Sequence, residues 1–305
     1  MKMDRVGIIG VGNMGGRMTR RLVDAGISVL GYDGDPARPP AAGAQAATSV
    51  RDLVERTDIV LLSLPDSRVV EAVVEGSDGI LAACRPGQTV VDLSTSAASS
   101  TIRLNGLFKD RGAHFIDAGI SGGAAAAERG TLTLMIGGDA EAIDAVRWVF
   151  APISSKTVHM GESGGGHTTK LLNNFLNAVS HAATAEVMVA ARKAGLDLHR
   201  FLDVVNSSSG VNFATMNRFP HIVDGNYLEG GLTSRLMTKD IVLYLERANE
   251  LGVASLNASG PLASFGLATA LGYGDLISNR VVDAIGDVSG GVRLKVGESK
   301  ERSKE

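Results

Sequence analysis

The sequence predicts an α/β protein in two parts: a doubly wound parallel sheet domain, then a long connecting helix that leads into an all-α domain. Three observations carry this reading. Short apolar runs alternate with helical patterns over residues 6–159, as expected of βα units feeding a parallel sheet. A stretch without glycine or proline runs over 168–194, enough for one helix of about 40 Å at 1.5 Å per residue. Beyond it, apolar residues keep helical spacing and strand-like runs are few.

At 305 residues the chain exceeds one ordinary core, and about 150 residues per domain gives two. The expected division is a sheet domain over 1–163, an interdomain helix over 164–194, a helical domain over 195–292 and a charged tail over 293–305. Strands are expected at 6–9, 29–32, 59–64, 89–93, 115–117, 132–136 and 157–159. Between the first two, Met14, Met18 and Leu22 recur at helical spacing, and Gly26 stands where a C′ glycine stops a helix. Breaks in the helical domain are expected at 207–210, Pro220, Gly230 with Gly231, and Gly252.

A hydrophobic share of 44% with 21% charged residues excludes a disordered chain and a membrane-spanning one. The net charge of -3 gives no electrostatic footprint for nucleic acid or an anionic membrane, so a small-molecule ligand is expected. Cys84 is the single cysteine; it forms no internal disulfide, no Cys/His cluster offers metal ligands, and a reducing cytoplasm fits. The start of the chain reaches an apolar run that Gly10 and Gly12 interrupt, too short for a signal peptide or a span.

The 38 glycines point to binding turns, and the first is explicit. Gly10-Val11-Gly12-Asn13-Met14-Gly15 places G-x-G-x-x-G between a strand and a helix. Gly10 permits the tight turn, Gly12 admits a pyrophosphate, Gly15 allows close helix packing, and the helix N-terminus faces the phosphates. Asp33, ending the second strand, has the spacing of the acid that binds the adenosine ribose. Its charge would repel a 2′-phosphate, which favours NAD over NADP. Arg38 is close enough in sequence to reach such a phosphate, so NADP is kept as a possible cofactor.

Later strand ends carry Leu64-Pro65 and Asp92-Leu93-Ser94-Thr95, at the carboxyl edge where open parallel sheets bind ligands. Ser94 or Thr95 also suits a helix cap. Ser121, Gly122 and Gly123 follow Asp117 and offer a hydroxyl with exposed backbone N–H groups, a way to hold a carboxylate without a metal. Lys170 and Asn174 lie four apart on one face of the long helix. There a lysine can shuttle a hydroxyl proton while the asparagine holds a substrate oxygen. His167 and His181 are read as a helix-start side chain and a packing or interface residue.

In one consistent order, residues 10–15, Leu64-Pro65, 92–95, 117–123, Gly130-Thr131-Leu132 and 170–174 make the chain resemble the β-hydroxyacid dehydrogenases. That family includes 3-hydroxyisobutyrate dehydrogenases and tartronate semialdehyde reductases, within the 6-phosphogluconate dehydrogenase superfamily. The resemblance implies a Rossmann-type domain, a long helix, a helical domain and an active site in the cleft. It implies Lys170 as general acid/base, Asn174 as a substrate ligand, and Ser121, Gly122 and Gly123 as a carboxylate cradle. Thr95 would lie near the nicotinamide, with Gly10, Gly12, Asn13, Met14, Gly15, Asp33, Leu64, Pro65 and Lys239 as the other cofactor contacts. A homodimer or homotetramer is implied as well. The chain departs from the family pattern at Gly119 and Ile120, which replace the Pro-Val of Asp-Ala-Pro-Val-Ser-Gly-Gly. Leu232 replaces a phenylalanine, and 274–279, ending in Asn279, lacks the usual second acidic residue. These departures bear on the substrate more than on the chemistry. Two alternatives stay open on sequence: an imine reductase of the same architecture, from which Lys170 would generally be missing, and a non-catalytic dinucleotide-binding sensor or scaffold.

Overall fold

The structure, a computed structural model, describes residues 5–295. The chain's first four residues and most of the expected charged tail, 296–305, lie outside the described residues. Two compact units meet in sequence at Lys170.

The first unit runs β1 Val6–Ile9, α1 Gly15–Asp24, β2 Val29–Tyr32, β3 Gln45–Ala46, α2 Val50–Arg56, β4 Ile59–Leu62, α3 Ser67–Glu75 and α4 Ile80–Ala83. It continues through β5 Thr89–Asp92, α5 Ala98–Lys109, β6 His114–Ser121, α6 Gly123–Arg129, β7 Leu132–Gly137, α7 Ala140–Phe150 and β8 Ser154–His159. Sheet order is β3-β2-β1-β4-β5-β6-β7-β8. Alternate residues of each inner strand feed opposite cores, as period-2 geometry requires. Ile8, Leu61, Val91 and Ile116 pack with Met18 and Leu22 of α1 and Val146 and Phe150 of α7. Ile9, Leu62, Val90 and Phe115 pack with Leu53, Val70, Leu104 and Phe108 from α2, α3 and α5. Helices therefore cover both faces, the doubly wound arrangement that the near-continuous apolar strands predict.

The sheet is parallel throughout except at one pairing. β6 pairs antiparallel with β7, because residues 122–131 are too short a connection for a crossover of a dozen or more residues. α7 then supplies such a crossover, and β8 is parallel to β7. β6 is also longer than expected and takes in Ser121, while β3, two exposed residues, has no apolar signal to announce it.

α8, Gly165–Lys193, is the long helix that the sequence predicts, starting three residues before the glycine-free stretch. Most of it belongs to the second unit, followed by α9 Leu198–Asn206, α10 Phe213–Asn217, α11 Phe219–Ile222, α12 Ser234–Glu250, α13 Ser259–Ala268 and α14 Val281–Val288. Ala178, Ala182 and Ala185 give α8 a small-residue face against a core that includes Phe219, Met237, Ile241, Phe265 and Val281. The breaks fall where glycine and proline foretell them, with Pro220 in the first turn of α11 and Gly252 just past α12. Leu294 is buried in this core and Arg293 bonds to Asp287, so packed chain continues past residue 292. No helix of the described residues is long and apolar enough to cross a membrane.

Candidate active site

Strands β1, β2, β4, β5 and β6 are parallel, so their carboxyl ends form one sheet edge, and the chain leaves it through Gly10, Asp33, Leu64, Thr95 and Ser121. Gly10 has φ +91°, and a Cβ there would lie 2.3 Å from Ser63 O; a Cβ on Gly15 would lie 1.8 Å from Gly10 O. The protein's own backbone thus dictates both glycines. Gly12 differs, since its Cβ would meet nothing nearer than Arg38 Nη1 at 3.5 Å. What its bareness preserves is open space at the start of α1, whose N-terminus has no side-chain cap and no acid in its first turn. This is a fit for a dinucleotide pyrophosphate. Asn13 and Met14 complete the turn, with Asn13 O accepting from Arg17 at 2.6 Å. Asp33 is moored beside it, accepting from Val11 N at 2.9 Å and Asp35 N at 3.0 Å. Arg38 pairs with Asp35 at 3.3 Å.

The next two strand ends are tied together. Leu64 N donates to Ser94 Oγ at 2.9 Å, and Asp92 accepts from Ser94 N and Ser96 Oγ, both at 2.9 Å. This buried net fixes the Leu64-Pro65 loop beside Gly10 and sets partly buried Thr95 at the same edge. Ala97, and neither Ser94 nor Thr95, holds the N-cap position of the following helix. α5 begins later, at Ala98, without a side-chain cap, and Ser67 Oγ accepts from Ala97 N at 2.7 Å.

Asp117, fully buried on β6, holds the start of α8: it accepts from Gly164 N and His167 N, each at 2.8 Å. A buried carboxylate on the positive end of a helix satisfies otherwise orphaned N–H groups and the dipole together. Glycines allow the approach, since a Cβ on Gly166 would lie 2.3 Å from Met135 O. One turn on, the stem of Lys170 lies against Gly119, where a Cβ would come within 2.6 Å of Lys170 Cβ. Gly119 and Ser121 share one face of β6, so the strand that seats Lys170 also presents Ser121. Gly122, at φ +121°, and Gly123 are exposed and open α6 without a side-chain cap. His167 is wholly buried, its Nδ1 2.7 Å from Thr101 Oγ1, which makes it part of the mooring.

In the second unit, Asn174 is buried and its Nδ2 donates to Asp240 Oδ2 at 2.5 Å. Asp240 Oδ1 lies 3.2 Å from Lys239 Nζ, so this carboxylate links two of the expected site residues. His181 packs edge-on against Phe219 and Phe265. Burial and the nearby Arg218 charge hold its pKa well below the ordinary histidine value, and it is a neutral packing residue at pH 7. Sequence reasoning missed Asp240, adjacent to Lys239, and left Asp117 without a role. Among the described residues no cluster of His, Cys, Asp or Glu is placed to hold a metal.

Comparison with known proteins agrees with this geometry. Residues 5–161 match the NAD binding domain of 6-phosphogluconate dehydrogenase, and 164–278 match the NAD-binding domain of NADP-dependent 3-hydroxyisobutyrate dehydrogenase. The 2-(hydroxymethyl)glutarate dehydrogenase of Eubacterium barkeri is 32% identical over 82% of this chain and 84% of its own length. The NAD-dependent L-serine dehydrogenase of Pseudomonas aeruginosa is 35% identical over 90% of this chain and 95% of its own. Among solved structures, 3-hydroxyisobutyrate dehydrogenase of Mycobacterium tuberculosis with L-serine superposes with a TM-score of 0.84 at 29% identity, covering 94% of this chain and 99% of that one. The glycine turn, the moored Asp33, the lysine-bearing helix and these matches together make the chain a member of the β-hydroxyacid dehydrogenase family, an NAD(P)-dependent oxidoreductase of hydroxy acids.

Proposed function

We propose that this chain oxidises the primary hydroxyl of a small β-hydroxy acid to the aldehyde acid, or reduces that aldehyde acid, with Lys170 as general base and acid. The observation that carries the reading is the seating of Lys170 on Gly119, one helical turn beyond a helix start that Asp117 pins. Bound at the Gly10 to Gly15 turn and Asp33, with Leu64, Pro65, Thr95 and Lys239 as further contacts, NAD supplies the hydride acceptor at its nicotinamide. Lys170 Nζ, as the amine, takes the hydroxyl proton while the carbon loses its hydride and the C=O bond forms; in reduction Lys170 returns that proton. Asn174 holds the reacting oxygen, and Asp240 orients its amide. Ser121 and the backbone N–H groups at Gly122 and Gly123 take the substrate carboxylate. Lys170 also separates this reading from imine reduction on the same fold.

The relatives act, by name, on 2-(hydroxymethyl)glutarate, L-serine and 3-hydroxyisobutyrate, and each of these carries a primary hydroxyl β to a carboxylate. The test is NAD reduction across a panel that pairs these acids with α-hydroxy acids such as lactate. Oxidation confined to the β-hydroxy acids is expected. Oxidation of α-hydroxy acids alone, or of none, would overturn the assignment. As finer parts of the same proposal, the chain works as a homodimer or homotetramer in the cytoplasm. The exposed apolar side chains of Leu176, Val204 and Leu256 support the first, and the lone free Cys84 supports the second.

A further inference from the structure

The mooring of α8 engages His167 at one ring nitrogen. Nδ1 lies 2.7 Å from Thr101 Oγ1 on α5, whereas Nε2 is buried without a hydrogen-bond partner. Nε2 stands 3.9 Å from Asp92 Oδ2 at the end of β5, beyond a hydrogen bond and within reach of electrostatic attraction. Imidazole, hydroxyl and carboxylate are all withdrawn from solvent.

Counting protons shows what Nε2 presents to that carboxylate. Thr101 has one hydroxyl proton and two acceptors for it, Ala97 O at 3.2 Å and His167 Nδ1 at 2.7 Å. If Nδ1 receives it, the neutral ring carries its own proton on Nε2, toward Asp92. If Ala97 O receives it, Nδ1 becomes the donor to Thr101, and a neutral ring then turns a bare Nε2 lone pair toward a buried carboxylate. That is repulsive in a low-dielectric interior. Every arrangement free of the repulsion has an N–H at Nε2 facing Asp92.

The two ends of this pair belong to different parts of the site. Asp92 orders the cofactor edge, accepting from Ser94 N and Ser96 Oγ, while Ser94 Oγ accepts from Leu64 N, all at 2.9 Å. His167 stands three residues before Lys170 on α8, with its own backbone N–H given to Asp117. Asp117 ties the helix start to β6; the His167 side chain is what faces β5. The path Leu64, Ser94, Asp92, His167 lies inside the first compact unit and ends one helical turn from the lysine.

We propose that His167 is a positioning residue: through Nε2–H and Asp92 it holds residues 92–96, and with them the expected nicotinamide contact Thr95, in register with Lys170. This rests on the reaction assigned to Lys170 and adds the side chain that sets the lysine against the cofactor edge. Hydride and proton leave the same substrate in one step, so an error in that register lowers turnover even when each group is present.

Asparagine and glutamine separate the two ring nitrogens. In His167→Asn the amide stands where Nδ1 was and keeps the bond to Thr101, but nothing reaches Asp92. In His167→Gln the amide nitrogen stands near the position of Nε2 and keeps a donor toward Asp92, while the Thr101 bond is lost. Stability and activity should therefore rank in opposite orders, which a merely structural histidine would not produce. By thermal melt His167→Asn should be the more stable of the two. In NADH formation from a β-hydroxy acid His167→Gln should stay near wild type, and His167→Asn should lose about 10- to 100-fold in kcat, the scale of a misplacement of up to about 1 Å. The Kd for NAD, by calorimetry, should rise about 3- to 10-fold in His167→Asn and little in His167→Gln, the worth of one hydrogen bond. Thr101→Val removes the other bond alone; it should lower the melting temperature with kcat near wild type, and it answers the question if His167→Gln does not fold. Wild-type kcat in both histidine variants, a faster His167→Asn than His167→Gln, or a kcat loss in Thr101→Val equal to that in His167→Asn would overturn the inference. If no form of the enzyme oxidises a β-hydroxy acid while the NAD affinities keep this order, the link to the cofactor edge stands and the reaction assigned to Lys170 falls.

Discussion

Gly119→Ala adds one methyl group where the structure has no room. The new Cβ would fall 2.6 Å from Lys170 Cβ, 3.2 Å from Lys170 Cγ and 3.1 Å from Gly166 O, whereas ordinary carbon contacts lie at about 3.5–4.0 Å. Relief by moving the helix backbone is blocked, because Asp117 holds Gly164 N and His167 N at 2.8 Å and Gly166 sits on Met135 O. The lysine stem must therefore move by roughly 1 Å, and a misplacement of that size in a reacting group costs on the order of 10²-fold in rate. Steady-state NADH formation from a β-hydroxy acid should show kcat reduced by about that factor, with KM for NAD unchanged, since Gly119 is distant in sequence and role from the glycine turn. A folded variant with wild-type kcat would refute the argument that Gly119 sets the position of Lys170. So would an equal loss in dinucleotide binding.

Four further outcomes follow from the same geometry. Asp117→Ala leaves two buried N–H groups without acceptors and should lower stability by about 2–5 kcal/mol, with Asp117→Asn losing less; a thermal melt that matches wild type would show that Asp117 does not anchor α8. Asp33→Asn should erase about tenfold or more of the preference for NAD over NADP, read as the ratio of kcat/KM values, and an unchanged ratio would remove Asp33 from the adenosine site. Gly122→Ala, at φ +121° and with its Cβ 2.5 Å from that of Ala126, should raise KM for the hydroxy acid far more than KM for NAD; equal effects would move the carboxylate site elsewhere. His181 has a folded pKa below its unfolded one, so the unfolded chain alone takes up its proton as pH falls below about 6.5, and stability drops by up to about 1.4 kcal/mol per pH unit. The melting temperature should fall between pH 7.5 and 5.5 more steeply in wild type than in His181→Asn, and parallel slopes would contradict the burial argument.

How far the sequence could be read depended on the reach of each interaction. The strands and the glycine turn were legible because period-2 burial and G-x-G-x-x-G are local patterns, and the long helix because nothing in it interrupts helical spacing. The direction of β7 was harder: it is set by the length of the connection after Ser121, and an apolar run looks the same in either direction. Asp117 stood in a quoted motif, yet its purpose lies 47 and 50 residues away at Gly164 and His167. Gly119 stood out as a departure bearing on the substrate, whereas the structure shows it as the seat of the lysine stem. Asn174 and Lys239 were both named from the resemblance, but Asp240, the carboxylate that joins them, becomes visible only when the two helices are placed.

The central claim is that Lys170 moves the substrate proton in a site that binds NAD independently of it. The most direct measurement compares wild type with Lys170→Ala for two quantities on the same preparations, the Kd for NAD by calorimetry and the rate of NADH formation from a β-hydroxy acid. The account predicts an NAD affinity that is unchanged and a turnover reduced by about 10²- to 10⁴-fold, the contribution expected of a general acid/base. Turnover by Lys170→Ala within a few-fold of wild type would contradict it.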